Sequence, residues 1–228
     1  MERTYRDRAV YLPDAATLVL ADLHVGRDAS SNLELRVGEH GDLTTRFERL
    51  IAEFGPREVV VAGDLLHTFS TLPRGVRETI RELTATCRDA GTRLVVTPGN
   101  HDSMLEAVWD GPTQSEYRIG DWVVCHGHEE PTTDADGYII GHGHPAIDIE
   151  GQRRPCYLTG EDVYGDNDLL MLPAFTRLAG GVEVNAMYAR HFDSPLVETT
   201  TPLRPVVRDP DADETLEFPP LGEFRRLL

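Results

Sequence analysis

The chain contains 228 residues, of which 40% are hydrophobic and 27% are charged, and its formal net charge is -17. These proportions exclude an intrinsically disordered chain, and the length suits one α/β domain with a large core. No window approaches the roughly 18 apolar residues that a membrane-spanning helix needs, and no hydrophobic signal region follows Met1, so we expect a cytoplasmic protein without a membrane segment.

The first half of the sequence alternates apolar strands with amphipathic helices. Strands are predicted at residues 9–12, 17–21, 59–62 and 94–96, and helices at 43–54 and 76–87. Alternation of this kind predicts a partly parallel sheet, in which ligand sites gather at the carboxyl ends of the strands. The polar residues that follow these strands are therefore candidates for a site.

From Tyr117 onward the helices give way to short apolar runs separated by Gly, Pro and Asp turns, which predicts a second, more antiparallel sheet. The segment from Asp193 is rich in proline and acid, so we expect it to be extended over the surface or partly disordered. The predicted organisation is a single domain over residues 1–192 and an acidic, proline-rich tail over residues 193–228.

Cysteine and lysine usage add two further expectations. Cys87, Cys125 and Cys156 are far apart and odd in number, which favours buried free thiols over disulfides or a thiolate metal site. All 22 basic residues are arginine, because the sequence contains no lysine. An acidic surface without lysine indicates a halophilic protein, and a high genomic GC content is the alternative explanation.

The residues that can carry chemistry form short clusters, each of which follows an apolar strand. Residues i and i+2 in a strand or the turn after it point to the same side, so each cluster can offer two side chains to one site. The clusters are Asp22-Leu23-His24, Asn100-His101-Asp102, His126-Gly127-His128 and His142-Gly143-His144, with the single Asp64 after Gly63.

These side chains predict a site for two divalent metal ions. Carboxylate, imidazole and amide oxygen ligands without thiolate suit manganese, with iron or zinc as alternatives, and the ligands are too many for one tetrahedral ion. Asp64 stands alone between the paired motifs and is the natural bridge between two ions. A bridged pair of ions is an arrangement for in-line hydrolysis at phosphorus.

The ordered set of motifs resembles the calcineurin-like metallophosphoesterase superfamily. The matching blocks span over half of the chain and are Asp22/His24, Gly63-Asp64, Gly99-Asn100-His101-Asp102, His126 and Gly141-His142-Gly143-His144. The Ala-Asp-Leu-His-Val-Gly, Gly-Asp-Leu-Leu-His and Leu-Pro-Ala-Phe segments further resemble the small branch related to the SbcD repair nuclease, which includes PdeM-like, ligase-associated endonucleases.

The resemblance implies a fold, a ligand set and catalytic roles. The implied fold is α/β, with two packed mixed β-sheets flanked by helices in a four-layer αββα metallophosphoesterase sandwich. His101 would hydrogen-bond a phosphoryl oxygen or protonate the leaving group, and Asp102 would orient its imidazole. One implied ion is held by Asp22, His24, His144 and the bridging Asp64, and the other by Asp64, Asn100, His126 and His142.

Several assignments remain open at the level of sequence. His128 can replace His126 as the ligand, because it lies only two residues further on. His67 is left outside the ligand set, since a packing role suits it at least as well. Arg153 and Arg154 can contact substrate phosphates, although a charged hairpin tip is the better explanation of them.

The resemblance implies a metal-dependent phosphoesterase that cleaves phosphodiester bonds, with DNA as substrate and a role in DNA repair. Such an enzyme would have a repair protein, a ligase or a helicase, as a partner. One alternative is a phosphodiesterase or phosphatase that acts on small nucleotides. Another is a non-catalytic scaffold with the same fold, against which the retention of His101 and of every ligand argues.

Overall fold

The computed structural model describes residues 1–27, 38–67 and 71–225. Its first half contains β1 (Thr4–Arg6), β2 (Ala9–Leu12), β3 (Thr17–Leu20), α1 (Glu39–Phe54), β4 (Glu58–Ala62), α2 (Val76–Asp89) and β5 (Arg93–Thr97). The remainder contains β6 (Glu116–Ile119), β7 (Trp122–Cys125), β8 (Gly137–Ile140), β9 (Pro145–Ile149), β10 (Gln152–Pro155), β11 (Tyr157–Tyr164), β12 (Asn167–Met171), β13 (Val182–Glu183), β14 (Arg204–Asp209), β15 (Glu214–Glu217) and α3 (Leu221–Phe224).

The first sheet has the strand order β1-β2-β3-β4-β5, and β3, β4 and β5 are parallel. Its central strands are apolar on both faces because both faces are covered. Val59 and Val61 of β4 face the helices α1 and α2, whereas Val60 and Ala62 face the second sheet. Burial on both sides explains why β4 is a continuous apolar run rather than an alternating one.

The second sheet has seven strands in the order β15-β14-β11-β12-β8-β7-β6. It is mixed, because β7, β8 and β12 are parallel neighbours and the other pairs are antiparallel. Apolar side chains such as Val124, Ile139 and Leu170 pack against the first sheet. The prediction of two packed mixed sheets flanked by helices is thereby confirmed. The outer face of the second sheet also contacts residues of the small sheet β10-β9-β13 and of α3.

The segment beyond Asp193 differs from the predicted surface tail. It supplies β14 and β15 to the second sheet, and Leu203, Val206, Val207 and Leu221 are buried in the core. The prediction of an extended or disordered tail is therefore wrong for the described residues up to 225. The prediction relied on the acidic and proline-rich composition and did not include the short apolar run Val206-Val207, which the polar residues Arg208 and Asp209 follow.

Two further expectations are tested by the fold. Cys87, Cys125 and Cys156 are buried free thiols, as predicted, and burial raises the pKa of each thiol. Within residues 1–27, 38–67 and 71–225, no helix combines the length and the apolar character that crossing a membrane requires.

Candidate metal centre

The polar clusters meet at one edge of the two packed sheets, where the strands that carry them end. Loops at the carboxyl ends of three strands of the first sheet and two of the second approach one another there, because parallel strands finish at the same edge. The loops are those that follow β3 with Asp22 and His24, β4 with Asp64, β5 with Asn100 and His101, β7 with His126, and β8 with His142 and His144.

Much of this edge is held in an uncommon backbone conformation. Left-handed φ values cost non-glycine residues of the order of 1–3 kcal/mol each, and such residues cluster at functional sites. Five candidate ligands have them, which are Asp22 (54°), His24 (47°), Asp64 (47°), His142 (63°) and His144 (42°). The surrounding loops therefore hold the backbone of these residues in a conformation that an unconstrained chain would avoid.

A first group of ligand atoms surrounds Asp22, which is fully buried. The Nε2 atoms of His24 and His144 are 3.1 Å apart, and Nε2 of His144 lies 3.3 Å from Oδ1 of Asp22. Nε2 of His24 also lies 3.8 Å from Oδ2 of Asp64. Two ligands at about 2.1 Å from one ion are about 3.0–3.4 Å apart, so this group has the spacing of a metal site.

A second group of ligand atoms is centred on the Nε2 atom of His126. Oδ1 of Asn100 lies 3.0 Å from this nitrogen, Nδ1 of His142 lies 3.2 Å from it, and Oδ1 of Asp64 lies 3.5 Å from it. Asp64 thus turns Oδ2 toward the first group and Oδ1 toward the second. Its position between the two groups is the position of a bridging ligand.

The side chains fit divalent cations on a further observation. Oδ1 of Asp22 is buried and makes no hydrogen bond within the described residues, although Nδ1 of His126 and Nε2 of His144 lie 3.9 and 3.3 Å away. A buried carboxylate oxygen without a hydrogen bond is costly unless a cation binds it. The triads Asp22/His24/His144 and Asp22/Asp64/His126 each bring their ligand atoms close enough to hold an ion.

The protonation states also favour metal binding. Burial lowers the pKa of His24 to about 3 and that of His126 to about 4, so both rings are neutral at neutral pH and keep a lone pair for a metal. Burial and the negative charge of Asp22 raise the pKa of Asp64 to about 8. A divalent cation between Asp22 and Asp64 would offset the repulsion between the two carboxylates and lower the pKa of Asp64.

The geometry distinguishes between His126 and His128. His126 is buried, and its ring lies at the centre of the second group. The ring of His128 lies 5.0 Å from that of His126 and 6.1 Å from that of His142, and its Nε2 is 3.7 Å from the carboxylate of Glu129. We therefore propose His126 as the ligand, with His128 as its neighbour at the rim.

His101 lies where the first group meets solvent. Its side chain is 23% exposed, and its Nε2 is 4.0 Å from Oδ2 of Asp64, while its backbone N–H donates to Oδ1 of the same carboxylate over 2.9 Å. Burial, followed by the charges of His144 and Arg27, lowers the pKa of His101. The positive charge of Arg27 therefore acts on the ring of His101.

His67, which the sequence left outside the site, lies within it. Its ring stacks on His101 with centroids 5.1 Å apart and planes at 16°, and meets the edge of His24 at 5.1 Å. These three histidines also form a triad that could hold a metal ion. The only signal in the sequence was the position of His67 three residues after Asp64.

Asp102 is buried, and its carboxylate accepts three backbone hydrogen bonds. Oδ2 accepts from the N–H groups of Gly99 and Leu65 at 2.9 and 3.2 Å, and Oδ1 accepts from that of Leu66 at 2.8 Å. These bonds join the loop after β5 to the loop after β4. They position the backbone that carries Asp64 and His101, whereas the sequence predicted a role in orienting the imidazole of His101.

The predicted domain boundary at residue 193 falls beside the site. Oδ2 of Asp193 lies 3.9 Å from Nε2 of His142, and the hydroxyl of Ser194 donates to the carbonyl of Gly127 at 2.6 Å. Arg153 and Arg154 lie on the β9–β10 hairpin and pair with the carboxylates of Glu183 and Asp209. Their pairing agrees with the prediction that these two arginines belong to a charged hairpin.

Replacing Gly99 by alanine is expected to lower metal content and activity at least about tenfold. A Cβ atom at this position would lie 2.2 Å from Oδ1 of Asp64 and 2.7 Å from its backbone nitrogen, so the bridging carboxylate must move. Metal content per chain by elemental analysis and the rate on a small phosphodiester test this.

Gly180→Ala is the matched control, because a Cβ atom there has nothing within 4 Å and needs no left-handed φ. Equal metal content in the Gly99 and Gly180 variants would contradict the close approach between Gly99 and the bridging carboxylate.

Comparison with known proteins identifies a family and solved structures that are similar to this chain. The sequence matches the family described as calcineurin-like phosphoesterase over residues 16–191. The crystal structure of a Pseudomonas putida nuclease, MPE, is similar in fold, with a TM-score of 0.68 and 22% sequence identity over 93% of this chain and 92% of that one. Curated proteins provide no match.

Proposed function

The chain belongs to the calcineurin-like phosphoesterase family, and from this premise we propose that it is a two-metal nuclease that hydrolyses phosphodiester bonds in DNA. Membership makes it a hydrolase that acts on phosphoester bonds. The finer parts of the proposal are the diester, the nucleic acid and the number of ions. Each has its own support and its own test.

The observation that carries the proposal is the position of Asp64. Its two carboxylate oxygens face two separate ligand groups, at 3.8 Å from His24 and at 3.5 Å from His126. Two ions in these groups would be held by Asp22, His24, His144 and Asp64, and by Asp64, Asn100, His126 and His142. When bound, the pair would stabilise charge at phosphorus and acidify the attacking water.

His101 is the proposed catalytic residue beside the two ions. Its ring stacks on the ring of His67, and its backbone N–H donates a hydrogen bond to Asp64. Its lowered pKa leaves the ring neutral at neutral pH, so it can donate one hydrogen bond to a phosphoryl oxygen. Asp102 positions the backbone of this loop rather than acting on the substrate.

Nucleic acid is the favoured substrate for two reasons. The protein from Pseudomonas putida with a similar fold is a nuclease, and the motif branch described above resembles repair nucleases. A net charge of -17 opposes the approach of a polyanion, so affinity must come from the metal centre and local arginines. We therefore expect weak, sequence-independent binding and a preference for single-stranded or frayed DNA.

The remaining proposals concern the setting of the reaction. Manganese is the proposed metal, because oxygen and imidazole ligands without thiolate suit it. A role in DNA repair, a ligase or helicase partner that targets the enzyme to DNA, and a cytoplasmic location accompany the nuclease proposal. The lysine-free acidic composition supports a halophilic protein that folds and works best at molar salt.

A substrate panel with the purified protein and manganese tests this function. It compares bis-p-nitrophenyl phosphate, p-nitrophenyl phosphate, cyclic nucleotides, and single- and double-stranded DNA at low and molar salt. We expect the diester to be preferred to the monoester, single strands to be cleaved, and chelation to abolish turnover. A preference for the monoester with no DNA cleavage at any salt would overturn the nuclease proposal.

A small nucleotide is the second candidate substrate, on one observation. A cavity of about 230 Å³ adjoins His126 and His128, and it is lined by the carboxylates of Glu116, Glu129 and Glu130. Three carboxylates oppose the phosphates of a polymer but can accept hydrogen bonds from the amino group of one base. Turnover of cyclic nucleotides in the same panel, without DNA cleavage, would favour this candidate.

A further inference from the structure

A second cavity of about 340 Å³ lies at the turn between β1 and β2, outside the metal centre. Its lining is unusual for a chain with a net charge of -17, because it includes four arginines and a single acidic residue, Asp7. The four side chains are Arg6, Arg8, Arg177 and Arg208. Clustered guanidinium groups are suited to oxyanions, since each offers several N–H donors in a planar fork.

Three of these arginines are already paired with carboxylates. Arg6 and Arg208 both contact Asp213, and Arg177 contacts Asp42 and, more distantly, Asp7. Pairs that reach the surface, as these do through the exposed Asp213 and Arg177, contribute little to stability.

Arg8 differs from its neighbours, because no carboxylate lies within ion-pair distance of it in the part of the chain that the structure describes. Its Nη1 atom donates instead to the carbonyl oxygens of Ala174 and Thr176, at 3.1 and 2.5 Å. Burial, together with the charges of Arg46 and Arg177, lowers its pKa to about 10. The guanidinium is still charged at neutral pH, and an anion would stabilise it.

The backbone of the turn also holds Arg8 in place. Asp7 and Arg8 both have left-handed φ values, 43° and 67°, in a turn where glycine or asparagine is usual. An arginine at such a position directs its side chain at some cost in backbone energy. The neighbouring Tyr157 donates its hydroxyl to the carbonyl of Ala9 at 2.7 Å and so closes the inner wall of the cavity.

This cavity lies next to the metal centre in the fold. The register of β2 with β3 pairs Val10 with Val19, so the start of β2 lies beside the end of β3, the strand that leads to Asp22. Thr176, in the loop after β12, contacts both the arginine cavity and the metal centre. Its carbonyl accepts a hydrogen bond from Arg8, and its N–H donates to the carbonyl of Asp22 at 3.3 Å.

We propose that the arginine cavity binds a phosphate group of the nucleic-acid strand that flanks the scissile diester, with Arg8 as its anchor. This inference rests on the proposed function, because it assigns a second binding point to the same substrate. It also explains how an acidic protein holds a polyanion. The positive charge is concentrated at one place along the strand and not spread over the surface.

Binding to the metal-free protein tests the inference apart from catalysis. A fluorescein-labelled short single-stranded oligonucleotide is titrated with chelator-treated protein by anisotropy, at one salt concentration at which circular dichroism shows every variant folded. We expect Arg8→Gln to weaken binding about tenfold, as the loss of a charge-assisted contact does. Arg88→Gln is the control, because Arg88 is exposed and its ion pair among the described residues is with its neighbour Asp89.

Further arms make each outcome informative. If Arg8→Gln does not fold, Arg177→Gln replaces it, because that side chain is 57% exposed and lines the same cavity. Inorganic phosphate that binds as tightly as the oligonucleotide would identify a site for free phosphate and overturn the strand proposal. Equal affinities of the wild type, Arg8→Gln and Arg88→Gln would also overturn it. Absence of diester hydrolysis with manganese would instead contradict the proposed function and leave the binding result intact.

Discussion

Asp64→Asn is expected to lose both metal ions and to lower turnover by about 10³-fold or more, since it removes the charge that faces both ligand groups. The amide keeps an oxygen for the N–H of His101, which Oδ1 of Asp64 now accepts at 2.9 Å. The loss should therefore be one of metal rather than of structure. Elemental analysis after dialysis against manganese and the rate on bis-p-nitrophenyl phosphate measure the two effects.

The same variant should be more stable than the wild type when metal is removed. Burial and Asp22 raise the pKa of Asp64 to about 8 from an ordinary value of 3.8. Because the folded-state pKa is the higher one, the contribution of this carboxyl group to stability is complete below pH 3.8 and is lost as the pH rises through about 8. In chelator at pH 8, Asp64→Asn should therefore have the higher Tm, and added manganese should reverse the order.

Asp14→Ala is the control for this experiment, because Asp14 is exposed and precedes β3, whereas the candidate ligand Asp22 follows that strand at its other end. It should change neither metal content nor the order of the Tm values. A lower Tm for Asp64→Asn both with and without metal would mean that Asp64 stabilises the fold itself, and the bridging role would have to be abandoned.

The first sheet and the helices were predictable because buried strands and amphipathic helices each have their own pattern of apolar residues. Val59 to Ala62 form an apolar run that only a strand covered on both faces needs, and the apolar residues of 43–54 recur at helical spacing. The strand at Arg204–Asp209 escaped prediction because only two of its positions, Val206 and Val207, are aliphatic, and they lie between proline and charged residues. Its place in the sheet comes from its partner, since Val206 pairs with Tyr157.

The candidate ligands were predictable for a different reason, which is that each follows a strand. The carboxyl ends of parallel strands lie at the same edge of a sheet, so the sequence alone placed Asp22 and Asp64 at one edge. The position of His67 could not, because it depends on the loop after β4 returning to the loop after β3. The N–H of His67 donates to the carbonyl of Val25 at 3.1 Å, and that contact is tertiary.

Asp102 and Arg8 show a second limit of sequence reasoning. The motif placed Asp102 beside His101, but the carboxylate accepts three N–H groups from two loops that are distant in sequence. Arg8 belongs to none of the sequence motifs and lies in a turn near the start of the chain. Its importance follows from the carbonyl groups of Ala174 and Thr176, which reach it from the other half of the chain.

His101→Ala is expected to lower turnover by about 10²-fold or more while metal content stays near that of the wild type. Its ring contributes to the open side of the cleft, and Oδ2 of Asp64 is 4.0 Å from its Nε2, farther than from Nε2 of His24. The hydrogen bond to Asp64 comes from the backbone of residue 101 and survives the substitution. Steady-state rates on bis-p-nitrophenyl phosphate and elemental analysis of the same samples measure both quantities.

The control is His191→Ala, because His191 lies in a short helix of the surface and its ring contacts Tyr188 rather than a candidate ligand. That variant should keep both metal and turnover. A His101→Ala protein without metal would make His101 a ligand, in the triad that it forms with His24 and His67. An unchanged rate would remove it from the reaction, and His67, whose ring stacks on it 5.1 Å away, would become the next residue to test because it faces the same open side of the cleft.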